Sequence, residues 1–133
     1  MGPINYPAIA VATVAALIFS ALYYFLLHRK ITALRETYVN DYEAARTKMT
    51  FNKLIVEFTR TFIVGLAMAY AVINAQNIIQ AAVVVIWLWV AFPVVLLIGA
   101  VMHERFPASL AVIHAFDWLV KLMIFAVILT FWR

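Results

Sequence analysis

Long apolar blocks alternate with short polar gaps along this chain. The first block, from about Tyr6 to Leu27, holds no charged side chain and ends abruptly at His28, Arg29 and Lys30. Others run from about Leu54 to Ala75, from Ile78 to Met102 and from Leu110 to Trp132. Roughly 20 apolar residues in a helix cross the ~30 Å hydrocarbon layer of a bilayer. The blocks lack the alternation of barrel strands, so each is predicted to be a transmembrane helix whose backbone groups pair within the segment. The expected fold is all-α. It is a single domain, a four-helix transmembrane bundle with spans at about 6–27, 54–75, 78–102 and 110–132 and a loop at about 28–53. The first block is too long for a signal-peptide core and has no basic region before it, so it reads as a retained helix. Tyr6 in place of Ser or Thr argues against N-myristoylation.

The gaps predict the connections. Asn74-Ala75-Gln76-Asn77 is a short polar turn, which should make spans two and three a tight antiparallel pair, and His103–Ser109, with Pro107, is another short loop. The 28–53 segment is long and polar. Within it Ile31, Leu34, Tyr38, Tyr42, Ala45 and Met49 recur at spacings of three and four, the mark of one helical face. Asn40 followed by Glu43 resembles a capping box. The segment contains no Gly or Pro, so helix one is expected to run past the membrane, turn near Tyr38–Asp41 and lead back as helix two.

Composition agrees with lipid as the solvent. The chain is 68% hydrophobic and 12% charged, with a mean hydropathy of +1.01; soluble domains are about half apolar and a quarter charged. There is no cysteine, which excludes disulfides, thiolate chemistry and cysteine-ligated metals. The net charge of +4 matters less than its placement. Arg29, Lys30, Arg35, Arg46, Lys48, Lys53 and Arg105 fall on one side of the bilayer, and Arg133 on the other. The positive-inside rule then puts the loop in the cytoplasm and both termini outside. Contact with anionic lipid through Arg29, Lys30, Lys48 and Lys53 is expected, and no nucleic-acid partner is.

Small residues mark two candidate packing stripes, Ala8, Ala12, Ala16 and Ser20 on span one and Ala67, Ala71 and Ala75 on span two. Such stripes let helices approach closely in lipid, although alanine is also simply common there. Pro93, mid-way along span three, removes a helix hydrogen bond at the carbonyl of Trp89 and predicts a kink.

Candidate chemistry lies with ionisable groups inside the spans. His114, Asp117 and Lys121 share one face of span four with Leu110 and Phe125, and Asp117–Lys121 is an i, i+4 pair in the favoured order. If hydrocarbon begins near Val112, Asp117 lies ~8 Å and Lys121 ~14 Å inside. A charge at such depth costs about 2.5–3.5 kcal/mol on insertion scales, so this face should point into the protein. Glu57 and Arg60 on span two are three apart, with Val64 and Ala71 continuing their face, and with the boundary near Val56 Arg60 lies ~6 Å deep, close to the depth of Asp117. The expectation is a charge-neutral cluster of Glu57, Arg60, Asp117 and Lys121 with His114 beside it. Two alternatives stay open: Glu57 and Arg60 snorkelling to the interface, and a cluster that is structural glue rather than a pathway.

Cofactors are not expected. His28 and His103 end different spans, but no paired metal-ligand spacing occurs. Ser20 and Ser109 lack a base-and-orienter arrangement, so no catalytic residue is assigned. Trp87, Trp89, Trp118 and Trp132 read as lipid-facing, packing or interface residues.

Several blocks carry a resemblance: Trp87-Leu88-Trp89-Val90-Ala91-Phe92-Pro93, His103-Glu104-Arg105-Phe106-Pro107, Ile113 to Leu122, and Phe131-Trp132. The opening Ile4-Asn5-Tyr6, the Tyr23-Tyr24 pair and Ala67-Met68-Ala69-Tyr70 extend it over nearly the whole chain. The chain resembles the domain-of-unknown-function family numbered 1761, departing from it at Ser20 and Phe116. The resemblance implies a small bacterial multi-pass membrane protein and supplies no activity; the location expected is the bacterial inner (plasma) membrane. The function expected is a non-enzymatic, self-associating membrane protein whose charge cluster serves assembly or a ligand pocket. A small proton- or ion-coupled transporter or channel, and an accessory subunit of a larger membrane complex, are the competing classes.

Overall fold

The computed structural model describes residues 4–38 and 50–132. The expected turn after Tyr38, the Asn40 and Glu43 capping pattern, and Tyr42, Ala45, Arg46, Lys48, Met49 and Arg133 lie outside the described residues. The helices are α1, Tyr6–Leu26; α2, His28–Tyr38; α3, Phe51–Val72; α4, Ile78–His103; and α5, Ala108–Phe131. All but α2 are long and apolar enough to cross a membrane, and no strand occurs among the described residues. The fold is an all-α, four-helix bundle of membrane-spanning character.

Side-chain caps set the helix starts. Asn5 Oδ1 accepts the Ala8 N–H at 3.0 Å, with Pro7 in the first turn. Thr50 Oγ1 accepts the Lys53 N–H at 3.4 Å, and Asn77 Oδ1 the Gln80 N–H at 3.0 Å. Each satisfies a donor the helix leaves orphaned. The Thr50 cap starts α3 at Phe51, ahead of the purely apolar block. At Leu27 the backbone departs from helical geometry, and the Ile31 N–H returns to the Leu27 carbonyl at 2.9 Å. The chain then continues as α2, the extension expected of helix one. Ile31 is buried, and Leu34 packs against the same apolar cluster.

α5 is central. It packs against α1, α3 and α4, and α1 packs against α3. α4 lies on α5, with Ala81 and Val85 buried and Trp89 Nε1 donating to the Ala115 carbonyl at 2.7 Å. This corrects the pairing expected from the short 74–77 turn: α3 and α4 are joined by it but touch little, because each turns its buried face to α5. The stripe expected on span two is corrected as well. The buried line of α3 is Thr61, Gly65, Met68 and Val72; of the expected stripe Ala75, just past the helix end, is buried, whereas Ala71 is half-buried and Ala67 exposed. The span-one stripe of Ala8, Ala12, Ala16 and Ser20 is buried along its length.

Gly65 marks the point where three helices meet. A Cβ there would fall 2.5 Å from Phe125 Cε1 and 2.8 Å from Ile9 Cγ2. Pro93 sits in a π-helical turn, Val90–Val94, that divides α4. A wider turn accommodates the ring and the missing N–H. Arg105, in the loop to α5, has a left-handed φ of 55°, and the Phe106 N–H reaches back to the Ala100 carbonyl at 3.3 Å.

The antiparallel run of α1 and α5 defines two ends. At the terminal end Asn5 Nδ2 donates to the Trp132 carbonyl at 3.3 Å. The loop end holds α2 and the 104–107 connection.

Candidate functional site

One face of α5 collects the polar groups. Leu110, Asp117, Lys121 and Phe125 are buried along it and His114 is half-buried, as their three- and four-residue spacing requires. Asp117 is 2% exposed and Lys121 5%. Lys121 Nζ lies 3.0 Å from Asp117 Oδ2, and its side chain leans toward the helix N-terminus and so toward the acid. The ammonium also sits 5.1 Å above the Trp118 ring.

α1 completes the site. Ser20 Oγ donates to Asp117 Oδ1 at 2.5 Å, and Tyr24 Oη donates to Asp117 Oδ2 at 3.3 Å. Tyr24 Oη also lies 2.6 Å from His114 Nδ1. A phenol has one proton, so when Tyr24 donates to Asp117 it is the Nδ1–H of His114 that donates to the phenol oxygen. Tyr23 Oη adds a bond to the Ile113 carbonyl at 3.2 Å. The carboxylate thus has a hydroxyl, a phenol and an ammonium around it. A buried ion pair is tolerable when its remaining lone pairs are filled in this way.

Apolar layers close the cluster above and below. Toward the loop end lie Ile31, Leu110 and Ile113 with Leu27, Leu34 and Phe106, and the Phe106 ring stacks on His114 at a centroid distance of 5.9 Å. Toward the terminal end come Ile9, Met68, Val72, Phe125, Ala126 and Leu129. An open apolar groove of about 290 Å³ between α4 and α5, lined by residues such as Val94, Leu97, Val101, Ala111 and Ala115, includes none of the cluster's residues.

Of the residues expected to cluster, the structure brings His114, Asp117 and Lys121 together. Glu57 and Arg60 pair with one another instead, at 3.6 Å, with Arg60 56% exposed. Arg60 approaches the others only through Trp118, its guanidinium 5.8 Å from the ring centre. The reason is angular: on α3 the line facing α5 is Thr61–Gly65–Met68–Val72, which leaves Arg60 at its edge. Pro93 is remote from the ion pair in sequence and lies in the α4 turn. His28 and His103 are exposed, and no group of three or more metal-ligating residues forms among the described residues.

Sequence reasoning overlooked Ser20 and Tyr24 as partners of Asp117, Trp89 as a donor and Trp118 as a shelf for two cations. A signal existed for the first two. Ser20 ends the small-residue stripe of α1, and Tyr24 follows it by four residues, hence on the same face.

Residues 7–130 match the family described as "Protein of unknown function (DUF1761)". No curated protein and no solved structure matches the chain.

Proposed function

Because the chain belongs to the DUF1761 family of proteins of unknown function, whose description assigns no activity, we propose a role from the site itself: a non-enzymatic, self-associating membrane protein whose Asp117–Lys121 cluster holds the bundle together. The observation that carries this reading is the enclosed, paired state of the cluster. Asp117 has Ser20, Tyr24 and Lys121 around it, and apolar layers lie on both sides. A transport path needs access for water or solute from each end. Here the side chains beyond Lys121 toward the terminal end are mostly those of an apolar core, with the buried Thr13 hydroxyl closed onto the Ile9 carbonyl at 2.8 Å and the Thr130 hydroxyl also buried there. Self-association is supported by how little of the spans the bundle covers, only 11% of the most apolar window of α4.

The same reading places the chain in a bacterial inner membrane with the loop end cytoplasmic. Arg29, Lys30, Lys53 and Arg105 are exposed at that end, where basic residues are retained and where Arg29, Lys30 and Lys53 meet anionic headgroups. A cysteine-free chain allows a clean test. In intact spheroplasts an impermeant maleimide should label Gln76→Cys and spare Glu36→Cys; the reverse pattern would invert the topology.

For function, purified protein in vesicles is assayed for proton flux under an imposed pH gradient. Flux should equal that of empty vesicles. Flux above that background that is lost in both Asp117→Asn and Lys121→Met would replace this reading with that of a proton-coupled transporter.

A further inference from the structure

Outside its buried line, α3 carries two features. The first is the Glu57–Arg60 pair, 3.6 Å apart, with side-chain exposures of 32% and 56%. Arg60 lies nine residues into α3, about 13 Å from its start at 1.5 Å per residue. Its one further contact among the described residues is the Trp118 ring. A guanidinium has five N–H donors, and hydrocarbon offers none of them an acceptor.

The second feature is Ala67-x-x-x-Ala71, a small-x-x-x-small spacing with Ala67 exposed and Ala71 half-buried. At about 100° per residue these alanines fall some 20° to either side of the Arg60 line. The buried line of α3 lies roughly 110° further round the same helix. An exposed guanidinium with a single ion-pair contact and a surface for close helix approach therefore share one stripe, with Glu57 on its flank about 60° toward the buried line.

We propose that this stripe docks against α3 of a second copy of the chain, the two helices running parallel about a two-fold axis along the membrane normal. The proposal rests on the self-association reading and names its surface. Such an interface must be self-complementary, and this one is. Glu57 and Arg60 differ in height by only about 4.5 Å, so each Arg60 reaches Glu57 of the other copy and adds a second carboxylate to the single 3.6 Å contact it makes within its own chain. Ala67 and Ala71 let the backbones close to the distance that reach requires. A lipid phosphate would also serve Arg60, but it would make no use of the alanine pair; a second helix uses both.

Single cysteines test the surface, since the chain has none of its own. Ala67→Cys and Ala71→Cys report on α3; Val83→Cys and Ile98→Cys report on the exposed side of α4. Each variant is oxidised in neat phosphatidylcholine vesicles and in vesicles containing phosphatidylglycerol. Covalent dimers are expected at 67 and 71 in both lipids, and not at 83 or 98. Adding Arg60→Glu to Ala67→Cys should lower the dimer fraction about tenfold, the scale of a broken desolvated ion pair. Adding Glu57→Arg as well should restore it. Dimers at 83 or 98 alone would keep self-association and overturn this surface. Dimers at 67 that require phosphatidylglycerol would assign Arg60 to phosphate and overturn the pairing. No dimer at any position would sink both readings.

Discussion

At Asp117 two carboxylate oxygens meet three neighbours, and those neighbours come from two helices. Removing the acid strands a buried ammonium, whereas removing both charges leaves only a matter of packing. Breaking one partner of a buried pair costs about 3–5 kcal/mol, while apolar replacement of both is often neutral. Asp117→Leu should therefore lower the thermal unfolding temperature in detergent sharply, and Asp117→Leu with Lys121→Met should recover most of the loss. If the double variant is no better than the single, the ion pair is not what the carboxylate serves. Ser20→Ala should cost less, about 1.5–3 kcal/mol for a hydrogen bond to a charged group. Two glycines differ just as sharply in what surrounds them. Gly65→Ala forces a methyl into Phe125 and Ile9, both wholly buried, and should cost about 1–3 kcal/mol as overpacking. A Cβ at Gly99 would meet nothing within 4 Å, so Gly99→Ala should be neutral or stabilising in the same melt.

Among the elements, α5 does two tasks at once. Its His114–Asp117–Lys121 line binds α1, and its Ala115 carbonyl takes the Trp89 donor of α4. α4 is interrupted by its π-helical turn at Pro93 and is followed by a left-handed Arg105. A non-glycine residue at φ 55° carries a backbone cost of order 1 kcal/mol that glycine escapes. Arg105→Gly should therefore raise the unfolding temperature slightly, with Arg105→Ala as the control that removes the charge and keeps the strain. An Arg105→Ala melt matching Arg105→Gly would trace the effect to charge instead.

The whole molecule is a bundle organised around one helix rather than a ring of four equal neighbours. α1 and α3 close on α5 to make the interior, and α4 attaches to α5 from another side. The antiparallel run of α1 and α5 brings Asn5 beside Trp132. A short bis-maleimide should link Asn5→Cys with Trp132→Cys within one chain at high dilution. Failure of that link, with each position labelled singly, would contradict the antiparallel packing of α1 on α5.

The number of spans, the helical extension after Leu27 and the inward turn of Asp117 and Lys121 were all legible in the chain. Each follows from a local rule: apolar length against hydrocarbon thickness, helical period, and the cost of charge in lipid. The chain alone left other matters open because they depend on rotation of one helix against another. Small size marks Ala67, Ala71 and Ala75 as the packing stripe of span two, and no local rule singles out the line through Thr61 and Gly65. Gly65, pressed by Phe125 and Ile9, decided between them. That rotation carried Arg60 to the edge of α3 and gave Asp117 to Ser20 and Tyr24 of α1, because a side chain can only reach what its helix is turned to meet.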